Sequence, residues 1–263
     1  MEPFIALMRR YVIDYTNSHD QSVCDEIMEP DYVFHMSGMT FRSRDNDYKP
    51  AVKRLFEEMP GLCLAIHGFV TNGNRLAMLF SEHGASIPHD RRLSAWGGIG
   101  LYKWNGRRLT ENYVEQDYLA RFDQLNSGRP HPLEPLHLDP WFIGALPPNP
   151  PAEEIVRPWL QRGDLRDAAK ATIDDSWVPN STPQPRLTSI KTEVNDLFSA
   201  GDRVPFHITQ HGKYVSGIDG LKAEHIGREA TLYVAGVARV QDGMVSEVRA
   251  ISDRWGLKRQ LQR

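Results

Sequence analysis

The sequence predicts an α+β protein made of two copies of one domain, each with its helices first and a run of antiparallel strands after them. Two ungapped matches indicate the duplication, because they recur in the same order along the chain. ENYVEQDYLARFDQL at 111–125 aligns with EVRAISDRWGLKRQL at 247–261, and FVTNGNRLAMLFSEHG at 69–84 aligns with LFSAGDRVPFHITQHG at 197–212. We therefore predict a first domain at 1–127 and a second domain at 152–263.

A proline-rich linker at 128–151 is expected between the two domains. Eight prolines between 126 and 152 disfavour helix and central strand, so the segment should be extended. Its Trp141, Phe142 and Ile143 are too apolar for plain solvent. They either attach the linker to a domain surface or form a lid over a pocket.

Three helices are expected at the start of the first domain. An apolar stripe at helical spacing predicts the first helix, and its members are Phe4, Ile5, Met8, Tyr11, Val12 and Tyr15. Asp20 is a favoured N-cap for a second helix through Met28, and Pro30 ends it. A short strand at 31–36 and a third helix at 49–59 follow.

Strands complete the first domain, and Asn-Gly pairs in two of the turns indicate hairpins. These strands are expected at 62–70, 75–83, 93–104 and 109–117. Each domain should be a curved antiparallel sheet with helices packed in its concave face. Asp31 and Phe69 are 38 residues apart, whereas their counterparts Asp174 and Leu197 are 23 apart. The second domain should therefore lack the third helix, and its pocket, if there is one, should be shallower or covered by another segment.

The composition excludes several classes of partner. A net charge of −3 gives no basic surface for nucleic acid, and no apolar run approaches the roughly 20 residues of a membrane helix. The N-terminal segment lacks the basic and apolar regions of a signal peptide. Cys24 and Cys63 are expected as reduced thiols, which fits a cytoplasmic protein. In that compartment the Asn180-Ser181-Thr182 sequon has no meaning.

Both copies close with the same pattern of residues. In the first copy these residues are Gly106, Glu111, Tyr113, Asp117, Gln124 and Leu125, and in the second they are Gly243, Glu247, Arg249, Asp253, Gln260 and Leu261. This pattern resembles the SnoaL-like branch of the nuclear-transport-factor-2-like (cystatin-like cone) superfamily, which includes polyketide cyclases. EPDYVFH after two helices and MPGL before the long strand add to the resemblance, which covers nearly the whole chain outside the linker.

The resemblance implies a function for the two aspartates. In the cyclases, the Asp of this motif is the general acid/base of an intramolecular aldol-type ring closure that needs no metal or cofactor, so Asp117 and Asp253 are implied as catalytic. Tyr113 and Arg249 replace the usual Trp, so pocket shape and substrate should differ. Related members isomerise steroids, dehydrate, open epoxides or only bind, and they commonly pair through the outer faces of their sheets. Two copies in one chain would supply that pair internally, as a pseudo-dimer, and leave a further homodimer open.

The residues themselves favour an acid/base site in the first domain. Met78, Phe80 and Glu82 share one face of their strand, so Glu82 points into the pocket if that face lines it. A carboxylate walled by Met, Phe and Tyr is desolvated, and its pKa rises toward the range in which a general acid/base works. Asp117 shares its parity with Tyr113, and capping of the final helix is the alternative role for Asp117.

Histidines and aromatic residues complete the set of candidates. His35 is either a partner acid/base or a histidine satisfied at a strand edge. The residues expected to contact a small hydrophobic substrate are Phe34, Phe56, Met78, Phe80, Trp96 and Tyr113. His207 and His211 lie roughly 13 Å apart at strand spacing, too far for one ion to bridge. A surface or inter-domain role is therefore expected for them, and no metal site.

Two hypotheses follow for the function. The first is a cofactor-independent enzyme in which Asp117, assisted by His35 or Glu82, moves a proton on a polyketide-, steroid- or terpenoid-like carbonyl compound. This gives a cyclisation, isomerisation or lyase step. The second is a non-catalytic binding or assembly module with a pocket filled by side chains. Epoxide hydrolysis or dehydration is a further alternative, and epoxide hydrolysis would need an Asp-Arg-Asp set in one pocket.

Overall fold

The computed structural model describes residues 1–179 and 181–263 and has the predicted α+β class. Asn180, the first residue of the sequon, lies outside the described residues. Two sheets, each with helices packed against it, form two domains with separate hydrophobic cores. Among the described residues, no helix is long and apolar enough to cross a membrane.

The first domain begins with helices and continues as a six-stranded sheet. The helices are α1 (Pro3–Arg9), α2 (Cys24–Ile27), α3 (Lys49–Glu58) and α4 (Tyr118–Ser127). The strands are β1 (Met28–Met36), β2 (Met39–Phe41), β3 (Cys63–Thr71), β4 (Arg75–Ser86), β5 (Arg92–Trp104) and β6 (Leu109–Gln116). Their order is β2-β1-β6-β5-β4-β3, with β1 parallel to β6 and the other neighbours antiparallel.

Local sequence patterns account for the helical half of this domain. All six residues of the first apolar stripe are buried, and α1 continues as a π-helix through Thr16. Asp20 caps the turn that leads into α2 by accepting a hydrogen bond from the Ser22 N–H. The second helix is shorter than predicted, because β1 begins at Met28 to pair with β6 and Pro30 lies within that strand.

The second domain repeats this arrangement. Its elements are α5 (Pro150–Gln161), β7 (Lys170–Ile173), β8 (Leu187–Leu197), β9 (Arg203–Tyr214), β10 (Glu229–Gln241), β11 (Met244–Ser252) and α6 (Arg254–Leu261). The sheet order β7-β11-β10-β9-β8 is that of the first domain without β2, and β7 is again parallel to β11. The described residues between β7 and β8 contain no helix, in agreement with the shorter spacing in the sequence.

The outer faces of the two sheets pack against each other. The buried residues of this interface are Val70, Ala77, Ile99, Leu101, Phe198, Ala200, Ala235, Val237 and Ile251. The turn after β1 also touches the second domain: a Cβ added to Gly38 would lie 2.5 Å from the hydroxyl oxygen of Tyr233. This close approach brings the second domain to the edge of the first domain's inner face.

The linker runs along the first domain. The backbone N–H groups of His137 and Leu146 donate to carbonyl oxygens of β3 at 3.0 and 2.9 Å. Trp141 packs on Phe69, with ring centroids 5.8 Å apart, whereas Phe142 is 73% exposed. Among the described linker residues, none lines the cavity of the first domain, so the segment is attached to the surface and does not cover that cavity.

Candidate active site

A cavity of about 640 Å³ lies between the helices and the inner face of the first sheet. Its apolar lining consists mainly of Tyr11, Tyr15, Phe34, Phe41, Tyr48, Val52, Leu55 and Phe56. The second domain supplies part of the wall, through Thr231, Tyr233, Asp253, Trp255 and Arg259. Two domains therefore form one cavity, which the sequence patterns did not predict.

Glu82 is the carboxyl group that the first domain places in this cavity. It lies on the same face of β4 as Met78 and Phe80 and is 7% exposed. Burial raises the pKa of Glu82 to about 7, although Arg121 and a hydrogen bond from Gln116 oppose the rise. Among the described residues, its Oε2 has no hydrogen-bond partner. Glu82 can thus take or give a proton near neutral pH.

Gln116 orients the other oxygen of Glu82 and was not among the residues predicted for the site. Gln116 Nε2 donates to Glu82 Oε1 at 3.4 Å, while Trp96 Nε1 donates to Gln116 Oε1 at 2.7 Å. The indole thereby fixes the amide so that its NH2 group faces the carboxyl group. The strand register could have found Gln116: Glu82 pairs with Trp96, and Gly98 pairs with Gln116, so all three side chains share one face.

Arg121 is a buried cation in the same cavity and was also missed. Tyr118, Arg121 and Phe122 lie on one face of α4 at i, i+3 and i+4, and all three line the cavity. The guanidinium carbon lies 4.9 Å from the ring centroid of Trp96 and 5.5 Å from that of Tyr118. Its nearest carboxylate is on Glu58, with Arg121 Nη2 3.5 Å from Glu58 Oε2.

Asp253 reaches this cavity from the second domain. It caps α6 by accepting a hydrogen bond from the Gly256 N–H at 2.8 Å. Burial raises the pKa of Asp253 to about 6. Burial also raises the pKa of Tyr118, and the charges of Glu82 and Asp253 add to that rise. Tyr118 is thus a protonated phenol near both carboxyl groups.

Three further phenols form a polar group in the apolar lining. The Tyr15 hydroxyl donates to the Tyr48 hydroxyl at 3.3 Å, and the Tyr11 hydroxyl lies 3.3 Å from the same oxygen. Burial raises the pKa of each phenol well above its ordinary value, so all three stay protonated. They offer hydroxyl groups to a ligand oxygen at the otherwise apolar side of the cavity.

Asp117 does not line the cavity, contrary to the expectation from the family resemblance. In β6, Gln116 takes the inward position, and the next residue faces the second domain. Asp117 accepts hydrogen bonds from Arg254 Nε, at 3.1 Å, and from Arg254 Nη2. It also caps α4 by accepting from the Ala120 N–H at 3.2 Å. Asp117 therefore lies where a helix cap is expected, which was the alternative to a catalytic role. It also forms an ion pair between the two domains.

His35 and Tyr113 also lie outside the cavity, on the outward face of their strands. Their rings stack, with centroids 4.2 Å apart. His35 Nε2 lies 2.9 Å from Glu111 Oε1, and His35 Nδ1 lies 3.0 Å from Thr40 Oγ1. Both ring nitrogens therefore have partners, as in the alternative of a satisfied histidine at a strand edge.

Of the other residues expected to contact a substrate, some line the cavity and some belong to the hydrophobic core behind it. Phe34 and Phe56 line the cavity. Met78, Phe80 and Trp96 lie on the inward face but are core residues behind the lining, with exposures of 0, 3 and 2%. The Phe80 ring lies directly over the glycine at position 98, where an added Cβ would be 2.4 Å from the ring. This packing holds the ring against the sheet.

The second domain lacks the polar set of the first. Gln210, Leu232, Ser252 and Leu257 stand at the positions equivalent to Glu82, Trp96, Gln116 and Arg121. Gln210 donates to the carbonyl oxygen of Gly163 at 2.8 Å. Arg254, at the position of Tyr118, lies among Asp117, Asp174 and Asp175, and we call these four residues the ion cluster. The second domain therefore has no equivalent of the buried Glu82.

The inter-domain role expected for a histidine falls to His207. Its Nε2 lies 3.0 Å from Glu115 Oε1 across the interface, and its Nδ1 lies 3.0 Å from Asn195 Oδ1. His211 lies near the surface and contacts Thr231. In the part of the chain that the structure describes, no three His, Cys, Asp or Glu side chains are placed to hold one metal ion.

Comparison with known proteins finds one family match and several similar solved structures. Residues 8–112 match the family described as "SnoaL-like domain", a match that covers less than half of the chain. A "putative SnoaL-like polyketide cyclase" from Jannaschia sp. CCS1 is 15% identical, covers 48% of this chain and 92% of its own, and has a TM-score of 0.42. Wild-type IdmH from Streptomyces antibioticus, a "putative polyketide cyclase", is 16% identical, covers 48% and 99%, and has a TM-score of 0.43. None of the curated proteins compared with the chain matches it.

Proposed function

We propose that the first domain, a SnoaL-like domain by its match over residues 8–112, is a cofactor-independent acid/base enzyme. Its substrate is a polyketide-, steroid- or terpenoid-like carbonyl compound, and its reaction is an aldol-type cyclisation, an isomerisation or a lyase step. The observation that carries the proposal is Glu82: a buried carboxyl group in an aromatic cavity, with a pKa of about 7 and one oxygen free of partners among the described residues.

Glu82 is the base in this proposal. Its carboxylate removes a proton from the carbon next to a substrate carbonyl group, and the electron pair of the C–H bond moves to the carbonyl oxygen as an enolate. The phenol of Tyr118, protonated and near Glu82, donates a hydrogen bond to that oxygen. Gln116 holds the carboxyl group in place during the transfer. Aromatic walls lower the local dielectric constant, which strengthens each of these interactions.

Asp253 is the second proton-transfer group. In an aldol closure, the enolate carbon attacks a second carbonyl carbon of the same molecule, which forms the C–C bond and leaves an alkoxide. The protonated Asp253 gives its proton to this alkoxide, so the net change moves one proton from carbon to oxygen. Proton transfer from Glu82 to Asp253 through solvent restores the starting state. Because the pKa of Asp253 is about 6 and that of Glu82 is about 7, the form with Glu82 ionised and Asp253 protonated is a minor one, and the reaction starts from it.

Deuterium exchange of a simple ketone tests the proposal without knowledge of the true substrate. We expect the wild-type protein to accelerate exchange of the α-protons of 2-tetralone in D2O, followed by proton NMR, above the buffer rate. Glu82→Gln keeps the shape of the side chain but removes the base, so the acceleration should fall by about a hundredfold or more. Asp117→Asn should keep it, because Asp117 lies outside the cavity.

The outcomes separate the hypotheses. Exchange that is equal in wild type and Glu82→Gln would rule out Glu82 as the base. Ligands that stabilise the protein in a thermal-shift panel of polycyclic ketones, without any exchange, would favour the non-catalytic binding module.

Epoxide hydrolysis is a second candidate, because Glu82, Arg121 and Asp253 line one cavity as a carboxyl–Arg–carboxyl set. One carboxylate would take a proton from water as the water oxygen attacks an epoxide carbon. The other carboxyl group would protonate the epoxide oxygen as its C–O bond breaks. Styrene oxide and limonene oxide are suitable probes, with the diol measured by chromatography. Diol formation that requires both Glu82 and Asp253, without ketone exchange, would favour this candidate.

A further inference from the structure

Arg121 has hydrogen-bond donors that the protein does not use. The residue is 5% exposed, and among the described residues its Nε has no hydrogen-bond partner. The aromatic rings of Trp96, Tyr118 and Phe122 lie around its guanidinium group at 4.9 to 5.5 Å. Such contacts use the charge of the guanidinium, whereas its N–H groups lie in its plane and need acceptors. A buried cation that lines a cavity, and whose guanidinium group lacks an acceptor for one of its donors, indicates a missing acceptor.

The neighbouring carboxyl groups do not fill this role. Glu58 is half exposed and meets Arg121 at 3.5 Å, which is a weak contact in solvent. Glu82 makes no ion pair with Arg121 within 4.0 Å among the described residues, and its own Oε2 is unpartnered. Glu82 and Arg121 therefore line one cavity without pairing with each other.

The fold does not need a cation at this position. In the second domain the equivalent residue is Leu257, which is 1% exposed and packs in the core. The same helix therefore closes the same kind of sheet with an apolar side chain. The charge of Arg121 is a property of the first domain's cavity and not of its architecture.

We propose that Arg121 binds an anionic oxygen of the ligand, so that the cavity takes aromatic or polycyclic compounds that carry a carboxylate. A guanidinium group binds a carboxylate through two parallel N–H···O bonds, and this geometry suits the planar in-plane donors of Arg121. The apolar body of the ligand then lies against Phe34, Phe56 and Tyr48. This inference rests on the cavity of the proposed function and names its substrate class: keto acids rather than neutral ketones.

Binding of matched probes tests the inference. We would measure 2-naphthoate and methyl 2-naphthoate by isothermal titration calorimetry at pH 7.5, where the acid is ionised and the ester is neutral. Wild type should bind the acid more tightly than the ester. Arg121→Leu introduces the residue that the second domain has at this position. It should lower the affinity for the acid by about tenfold to a hundredfold, which corresponds to the loss of a hydrogen bond to a charged group. It should change the affinity for the ester by less than about threefold.

Arg259→Gln is the matched control, because Arg259 lines the same cavity but is exposed. It removes the same charge from the cavity mouth and should leave the preference for the acid in place. Arg121→Lys keeps the charge without the paired donors and should restore part of the affinity. Equal binding of acid and ester by wild type, or unchanged acid binding in Arg121→Leu, would overturn the inference.

The test does not depend on turnover. A loss of acid binding in Arg121→Leu supports the inference even if 2-tetralone exchange shows no catalysis. Conversely, exchange that requires Glu82 together with equal binding of acid and ester would support the proposed function and contradict the role of Arg121. Unfolding temperatures of the variants show whether any lost binding reflects lost structure.

Discussion

Asp117 and Asp253 hold equivalent positions in the two domains but face different surroundings. Each N–H donates at 2.9 Å to a carbonyl of the neighbouring strand, Gly97 in the first domain and Tyr233 in the second. Each carboxyl group caps the helix that follows. Asp253 lines the first domain's cavity, whereas Asp117 binds Arg254 of the second domain. Each aspartate therefore contacts the other domain, and Asp253 of the second domain is the second carboxyl group in the first domain's cavity.

Replacing Asp117 with Asn should lower stability, while the same change at Asp253 should have little effect. The carboxylate of Asp117 accepts hydrogen bonds from the buried Arg254, and a bond to a charged group contributes about 1.5 to 3 kcal/mol. Asp174 and Asp175 still neutralise Arg254, so we expect a loss of about 2 kcal/mol in the free energy of unfolding. Asn is as good an N-cap as Asp, so Asp253→Asn should cost less than about 1 kcal/mol.

Urea unfolding of both variants at pH 7.5 measures this difference. Equal losses would show that the ion cluster contributes no more than the helix cap. A larger loss in Asp253→Asn would reverse the assignment of the two aspartates.

The elements of each domain were predictable because their signals are local. Helical spacing predicted α1 and α3, Asn-Gly turns predicted the hairpins, and the shorter spacing predicted the missing third helix. Glu82 was predicted from strand alternation alone. Asp117 was expected in the pocket from the family motif and from its parity with Tyr113, but it lies outside the cavity. The register from Trp96 through Gly98 to Gln116 puts Asp117 on the opposite face.

The shared cavity was beyond such local reasoning. It depends on how two sheets pack, and that packing comes from apolar residues whose partners are far away in sequence. Tyr233 and Asp253 have no local pattern that marks them as part of the first domain's wall. Arg121, by contrast, stands at helical spacing from Tyr118, and that spacing could have placed it in the cavity.

The rate of ketone exchange should rise with pH through the pKa of Glu82. The group must be ionised to act as a base, and burial puts its pKa at about 7. The rate should therefore be low at pH 5, reach half its maximum near pH 7 and level off by pH 9. Proton NMR of 2-tetralone exchange at several pD values measures it. Asp253→Asn should keep this midpoint, and a midpoint near the ordinary pKa of a carboxyl group would contradict the burial of Glu82.

Stability should fall between about pH 4.5 and pH 8 because of Glu115. This residue is 0% exposed, and burial raises its pKa to about 8, above the 4.5 of an unfolded chain. Its contribution to stability is thus complete below about pH 4.5 and is lost as pH rises through 8, at up to about 1.4 kcal/mol per pH unit. The partner His207 has a pKa lowered to about 4, so between these values both groups are neutral and the Glu115 carboxyl group donates to His207 Nε2.

Glu115→Gln removes this ionisation and should be more stable than wild type at pH 9, with little difference at pH 5. Thermal unfolding at both pH values measures the effect. Glu111→Gln is the matched control, because Glu111 lies on the same strand but its salt bridge with Lys103 holds its pKa below the ordinary value. If Glu111→Gln gained as much stability at pH 9 as Glu115→Gln, the pH effect could not be assigned to the buried pair of Glu115 and His207.

Gly38 should be the glycine whose replacement most disturbs the contact between the domains. It has φ of 75°, and a Cβ there would lie 2.5 Å from the Tyr233 hydroxyl oxygen and 2.7 Å from its ring carbon Cζ. Gly106 has φ of 86° with open space around it, so Gly106→Ala carries only the backbone cost, about 1 kcal/mol. Gly38→Ala adds a clash and should lose about 1 to 3 kcal/mol more in urea unfolding.

The ring of Tyr233 decides whether the clash is the cause. Tyr233→Phe should not rescue Gly38→Ala, because the ring carbons are themselves within 2.8 Å of the added Cβ. Tyr233→Ala removes the ring, so in that background Gly38→Ala should cost no more than Gly106→Ala. Since Ser37 and Tyr233 both line the cavity, Gly38→Ala should also weaken binding of 2-naphthoate. If Gly38→Ala and Gly106→Ala lowered the free energy of unfolding equally in the wild-type background, the turn that contains Gly38 would have moved away from the second domain at no cost in stability.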